Sequence, residues 1–367
     1  MYRLLIFGTG STCDLLEQHL KDDVCIVGYI DNDVEKQGKL KRNLHIEAPR
    51  NINKFSYDCI AIASQFNESI YNQLLELGVQ RHKIFQFFKF TDLNFNYIKY
   101  RIDNFIYKQT KESVEVFITG LSYCLCGIDT KRLIKRALNL AFGSQDLFYD
   151  YYLIKYLLNK SLDKIINVRH IIIGLSYYSF EYDMSLSAMK NKTVLYYPIV
   201  GTAHHFKNIN NVFEEYSYNV ALAQNIIKKN EKGGYLINWN KSTSSIVVDS
   251  DVKGRKQAES DSNKNYPKTV KENKQIFKDY LQLLIENNIK PIVVVFPASR
   301  YYTKYFSKRI EDEFHSIISE VKQEYKFQYI DYFRSDLFND DDFQDASHLN
   351  PRGAEKFTKI LNEIIEW

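Results

Sequence analysis

The sequence predicts an α/β protein built on two parallel sheets, and three observations lead there. Short apolar runs alternate with helix-spaced segments along the chain, glycines or serines stand where those runs end, and KPIVVVFP, from Lys290, is apolar enough for a strand covered on both faces. At 367 residues the chain is long for one core and comfortable for two. Hydrophobic residues at 45% and charged residues at 26% give the balance of a folded globular protein and exclude a disordered or fibrous one. The net charge of +4 is spread through mixed-sign segments, so nucleic acid is not an expected partner.

The opening, MYRLLIFGTGSTCDLL, has too short an apolar run for a secretory signal, and no stretch has the length of a transmembrane segment, so a cytoplasmic protein is expected. The cysteines at 13, 25, 59, 124 and 126 show neither a disulfide framework nor paired zinc-ligand spacing, and reduced thiols are expected.

Tyr2 to Phe7 reads as a strand running into Gly8-Thr9-Gly10-Ser11, followed by the helical spacing of DLLEQHL. CIVGYIDND reads as a second strand with Asp31 at its end, where a dinucleotide-type unit places a carboxylate for a ribose hydroxyl. YDCIAIAS, from Tyr57, is a third strand, and SIYNQLLELG a helix behind it. A glycine turn before a helix lets backbone approach a phosphate, though a third glycine is replaced here by Cys13. IFGTGS, GYIDND, Gly38 with HIEAP, and YDCIAIAS together resemble the Rossmann-like N-terminal domain of bacterial nucleotide-sugar acetyltransferases. That resemblance implies a nucleotide or nucleotide sugar held by Gly8, Gly10, Ser11 and Asp31.

The domains are expected at 1–90 and 114–367, with 91–113 as a connecting helix, because Ile84 to Ser113 alternates aromatic and basic residues without glycine or proline. VEVFITG then begins a second alternating series. TKRLIKRALNLAF and DLFYDYYLIKYLLNK are predicted helices, while HIIIG, KPIVVVFP and QYIDYF are predicted strands. Val252 to Gln275, polar and without periodicity, is expected as a solvated loop leading into a helix.

Gly-Leu-Ser-Tyr occurs twice, at 120–123 and 174–177, each time behind an apolar run, so Ser122 and Ser176 both stand at strand ends, where ligands gather in open α/β sheets. A serine hydroxyl needs a base to become a nucleophile. FQDASHLNPRGAEKF supplies one: Asn350 caps and Pro351 opens a helix whose buried stripe is Ala354, Phe357, Leu361 and Ile364 or Ile365, which sets His348 just ahead of a docked element. Asp345, three residues upstream, is placed to hold one imidazole nitrogen while the other faces a serine. His204 and His205 form a second polar cluster, with a loop position and one exposed ring expected and pocket lining or metal ligation as the other readings.

Residues 114–367 resemble the SGNH (GDSL-like) hydrolase and acyltransferase superfamily. The resemblance implies a three-layer α/β/α domain with Ser122 as nucleophile, Asp345 and His348 completing the relay, and the Gly143 N–H joining that of Ser122 around an oxyanion. The family's Gly-Asp-Ser is Gly120-Leu121-Ser122 here, and its asparagine donor is replaced by Ser176, whose hydroxyl would donate instead. Both resemblances together imply a serine esterase or O-acyltransferase taking an acyl donor and a sugar or surface-glycan precursor, with no metal or cofactor required for the acyl step. The alternatives are a weakened binding or scaffold protein of glycan biosynthesis and a NAD-dependent sugar-modifying enzyme; no Tyr-x-x-x-Lys pair in a suitable strand context supports the latter in the first hundred residues.

Overall fold

The computed structural model describes residues 1–92, 97–107, 113–160, 165–229 and 250–367, and the fold is α/β in two units. Met1–Tyr100 and the helix Ile209–Ile226 form one unit, and Arg101–Phe206 with the chain from Ser250 onward forms the other. Residues 93–96 and 108–112 of the expected connecting segment lie outside the described residues; the helix Tyr97–Tyr107 falls within it, and the helix Phe87–Asp92 runs into its start.

In the first unit, β1 (Tyr2–Phe7), β2 (Val24–Ile30), β3 (Leu40–Lys41), β4 (Leu44–Glu47), β5 (Cys59–Ile62) and β6 (Ile84–Gln86) form one sheet in the order β3-β4-β2-β1-β5-β6. Only β3–β4 is antiparallel. Leu4 to Phe7 and Cys59 to Ile62 are buried almost completely, so these strands read as unbroken apolar runs. Ile84–Gln86, at the start of the aromatic and basic stretch, is the strand β6, because its backbone pairs with Ile60–Ile62 and its side chains are buried. The Gln86 N–H also donates to Asn219 Oδ1 (2.8 Å) on the helix Ile209–Ile226, an element that sequence spacing had placed in the second domain.

The second unit's sheet contains β7 (Val116–Gly120), β8 (Ala137–Asn139), β9 (His170–Leu175), β10 (Lys290–Val295) and β11 (Gln328–Asp331), all parallel, in the order β11-β10-β9-β7-β8. The chain leaves β7 toward β8 and returns past it to β9, which makes the β7/β9 end the switch point at which open sheets form a ligand crevice. Register brings four strand ends level: Gly120 pairs with Gly174, Leu175 with Val295, and Val295 with Asp331.

One face of this sheet carries Leu147–Lys160, Pro267–Glu286 and Lys308–Glu324, tied by the Thr119–Tyr280 hydroxyl pair (3.0 Å) and the Lys274–Glu320 and Lys278–Glu324 ion pairs. The other face carries Ser122–Gly127 and Pro351–Ile364, where Phe357 packs edge-on to Phe296.

Two expected elements differ. The predicted helix over TKRLIKRALNLAF is absent; Ala137–Asn139 forms β8 because its backbone completes the open edge of β7, and sheet pairing overrides helical spacing. The expected loop after Val252 is the helix Ser250–Ser262. Its buried stripe is Gly254, Ala258 and Ser262, small residues four apart that carry little hydrophobic signal, and a Cβ on Gly254 would lie 2.5 Å from the Tyr301 carbonyl oxygen.

Candidate active site

The turn after β7 depends on glycine. Gly120 has φ +129°, outside the range comfortable for a side chain, and a Cβ there would approach the Gly174 carbonyl oxygen to 2.3 Å. Leu121 then caps the short helix Ser122–Gly127, so Ser122 is the first helical residue and its hydroxyl makes no cap bond. The hydroxyl is left free to point away from its own backbone.

It meets the histidine near the C-terminus. Ser122 Oγ lies 2.7 Å from His348 Nε2, and His348 Nδ1 lies 2.9 and 3.0 Å from the two carboxylate oxygens of Asp345. The segment delivering these groups is stapled at both ends. Phe343 and Leu349 bridge, Asn350 Oδ1 accepts the Gly353 N–H (3.0 Å), and Ser299 donates through both N–H and hydroxyl to the Ala346 carbonyl. The helix begins at Pro351 with Asn350 as its cap, as the sequence predicts.

Burial pushes the Asp345 carboxyl up, but the hydrogen bond and charge of His348 and the N–H groups of Ser347 and His348 outweigh it, leaving the carboxyl below its ordinary value. An ionised Asp345 favours the tautomer with a proton on Nδ1, and Nε2 is then the acceptor facing Ser122.

Sequence reasoning missed Tyr123. Its ring stacks on the His348 imidazole at 4.8 Å and 16°, and its buried hydroxyl accepts from the Tyr178 hydroxyl (3.3 Å). The signal was present in the fourth letter of the repeated Gly-Leu-Ser-Tyr, but an aromatic beside a serine has no distinguishing spacing. Beneath the turn, Asp150 is fully buried and accepts from Gln145 Nε2 (2.5 Å). Burial pushes Asp150 up to about 8 and the neighbouring Asp146 up to about 6.

Gly143 follows a segment laid along β7: the Leu140 and Phe142 N–H groups donate to the Ile118 and Gly120 carbonyls at 2.7 and 3.1 Å. Among the described residues, and apart from its own chain neighbours, nothing lies within 4 Å of a Cβ built on Gly143. Ser176 is buried at the end of β9; its N–H donates to Ser179 Oγ and its carbonyl accepts the Ser179 N–H, both at 2.9 Å. Among the described residues Ser176 makes no hydrogen bond to Ser122 or His348. His204 and His205 join Asp183 and Glu272 instead of this chain of groups.

In the first unit the turn after β1 places Gly8 (φ +97°) against the Ala63 carbonyl, and Gly10 ahead of the helix Ser11–Gln18. Asp31 is buried there, with Oδ2 accepting from both the N–H and hydroxyl of Thr9 (3.0 and 2.5 Å) and Oδ1 accepting the Asp33 N–H (3.0 Å). Burial raises its carboxyl and these bonds lower it, with a net fall. The carboxylate at the predicted ribose position is therefore engaged in tying its own glycine turn.

Residues 1–85 match the family described as C2185-like, N-terminal. No curated protein matches the chain. Among solved structures, the crystal structure of a candidate acylhydrolase from Bacteroides fragilis NCTC 9343 is similar at 10% identity, over 74% of this chain and 95% of that one, with a TM-score of 0.35. A likeness so distant carries no argument about activity.

Proposed function

We propose that the protein is a serine-dependent esterase or O-acyltransferase. The observation that carries this reading is the continuous hydrogen-bonded chain from Ser122 Oγ through His348 to Asp345, at 2.7 and 2.9 Å. Ser122 Oγ attacks the acyl carbon of an ester while His348 Nε2 takes its proton; the carbonyl π pair moves to oxygen and a tetrahedral adduct forms. The adduct collapses as His348 returns the proton to the departing alcohol, leaving an acyl-serine. An incoming hydroxyl, from water or an acceptor, repeats the two steps in reverse order. Asp345 keeps the imidazole oriented throughout and stabilises its positive form. The N–H groups of Ser122 and Gly143 and the hydroxyl of Ser176 receive the developing negative charge.

A sugar or surface-glycan precursor as acyl acceptor belongs to the same proposal and rests on the likeness of IFGTGS, GYIDND and YDCIAIAS to nucleotide-sugar enzymes. In that reading Gly8, Gly10, Ser11 and Asp31 border the nucleotide, with Asp31 acting through the Thr9 turn that it holds.

A fluorophosphonate probe tests the chemistry: the folded wild-type chain becomes labelled at Ser122, and Ser122→Ala does not. Absence of labelling in the wild type, or labelling unchanged in Ser122→Ala, overturns the reading.

A further inference from the structure

A second constellation lies in the same unit, between the stretch after β9 and the helix Pro267–Glu286. Asp183 Oδ1 is held by the Ser185 N–H (2.8 Å), which leaves Oδ2 facing the Nδ1 atoms of two adjacent histidines, 2.7 Å from that of His205 and 3.5 Å from that of His204. On the opposite ring edges, Glu272 Oε1 faces the Nε2 atoms of His204 and His205 at 3.0 and 3.5 Å. The two imidazoles lie 3.9 Å apart, and Phe148 stacks on His204 at 4.0 Å and 11°. One donor atom from each of the four residues falls within 4.8 Å of the others.

The arrangement is more than a pair of acids. The His204 side chain is 7% exposed, and its buried Nδ1, 3.5 Å from Asp183 Oδ2, has no hydrogen-bond partner among the described residues. A buried imidazole nitrogen without a partner is costly, and here it lies 3.5 Å from an oxygen of an almost fully buried carboxylate. A cation seated between them partners both.

We propose that Asp183 Oδ2 and the Nδ1 atoms of His204 and His205 bind a divalent transition-metal ion of the zinc class, with Glu272 as the orienting group behind them. Bonds of about 2.0–2.2 Å in a tetrahedral site set ligand atoms roughly 3.3–3.6 Å apart. The His204–Asp183 separation of 3.5 Å already has that spacing, and the His205–Asp183 contact of 2.7 Å has to open by about 0.6–0.9 Å. Glu272 Oε1 accepts the His204 Nε2–H (3.0 Å) and lies 3.5 Å from His205 Nε2, which favours the tautomer that presents the His204 Nδ1 lone pair to the ion, the usual role of a carboxylate behind a ligating histidine. Two imidazoles select against magnesium and calcium, which prefer oxygen ligands. Three protein donors leave one position for water or a small ligand, and the ion clips the ends of the 183–205 stretch together. The site stands apart from the acyl chemistry: it shares no residue with Ser122, His348 and Asp345.

The test uses the full chain, stripped with a chelator and then titrated with zinc chloride by calorimetry, with metal content measured after dialysis. Wild type and Ser122→Ala are expected to retain about one zinc per chain with a Kd in the micromolar range or tighter, and to show no comparable binding of magnesium. His205→Ala, whose ring is 42% exposed and contributes little to the core, loses affinity by at least about 100-fold, and Glu272→Gln by about 10- to 100-fold. Failure of the wild type to retain zinc, or wild-type affinity in His205→Ala, overturns the proposal.

Discussion

Gly120 and Gly174 face each other across the parallel strands β7 and β9, so close that a Cβ on Gly120 would stand 2.3 Å from the Gly174 carbonyl oxygen, and one on Gly174 2.6 Å from Cys124 Cβ. The repeated Gly-Leu-Ser-Tyr is therefore a register pair: two copies lie side by side at the switch point, each turning its chain out of the sheet. The serine geometry depends on this close approach, because any widening of β7 from β9 displaces the first residues of the helix Ser122–Gly127.

Replacing Gly120 by alanine imposes both a backbone clash and a φ of +129° that a side chain resists. The expected loss is about 3 kcal/mol or more of folding stability, read as a lower urea midpoint. Gly143→Ala is the control, since among the described residues nothing beyond its chain neighbours lies within 4 Å of its added Cβ, and its midpoint is expected to shift by less than about 0.5 kcal/mol. Equal losses in the two variants would contradict the register argument.

Asp345 is placed by hydrogen bonds from His348 Nδ1 and from the N–H groups of Ser347 and His348. Asp345→Asn keeps its shape and accepts the backbone bonds, but its amide can donate to Nδ1 and so favour the tautomer that presents a proton to Ser122. Ester turnover is expected to fall by about 10²- to 10⁴-fold in kcat with little change in the urea midpoint. Undiminished kcat would remove Asp345 from the mechanism.

The strands were legible because burial on both faces leaves unbroken apolar runs, as in Leu4–Phe7 and Ile171–Ile173. The terminal helix was legible because Asn350 and Pro351 mark its start chemically. Other features were hidden for identifiable reasons. β8 has three residues and exists through pairing with β7, which no local pattern encodes. The helix Ser250–Ser262 buries glycine, alanine and serine, so its stripe carries no hydrophobic contrast. Ser122, Asp345 and His348 were readable as residue types at a strand end and before a helix, whereas the stacked ring of Tyr123 and the bond between Asp31 and Thr9 depend on three-dimensional placement alone.

Asp150 predicts a pH effect on stability with a definite sign. Unfolded, its carboxyl loses a proton near 3.8; folded, burial holds it up to about 8. Between those values the folded chain carries the extra proton, so unfolding releases it and stability falls as pH rises, with a slope of up to about 1.4 kcal/mol per pH unit. Asp146 adds a similar slope only up to about 6, and above it the buried His204, also raised, adds slope of the same sign, so the Asp150 share between pH 6 and 8 is read as a difference from wild type. Asp150→Asn, whose carbonyl oxygen accepts the same Gln145 bond, is expected to flatten the profile of unfolding free energy in that window relative to wild type. Parallel profiles would show that Asp150 ionises freely in the folded state.

Ser176 separates a catalytic hydroxyl from a turn residue. The turn it occupies is held by backbone, since the Ser176 N–H and carbonyl are the groups bonded to Ser179, so removing the side-chain oxygen leaves those bonds intact. A hydroxyl that donates to the oxyanion strengthens its bond as charge develops, and its loss lowers kcat rather than raising KM. Ser176→Ala is thus expected to reduce kcat by about 10²-fold, with KM and the urea midpoint near wild type, and to slow fluorophosphonate labelling in parallel because the phosphonyl oxygen occupies the same cradle. A fall in the urea midpoint with kcat unchanged would assign Ser176 to the turn and leave charge stabilisation to the N–H groups of Ser122 and Gly143.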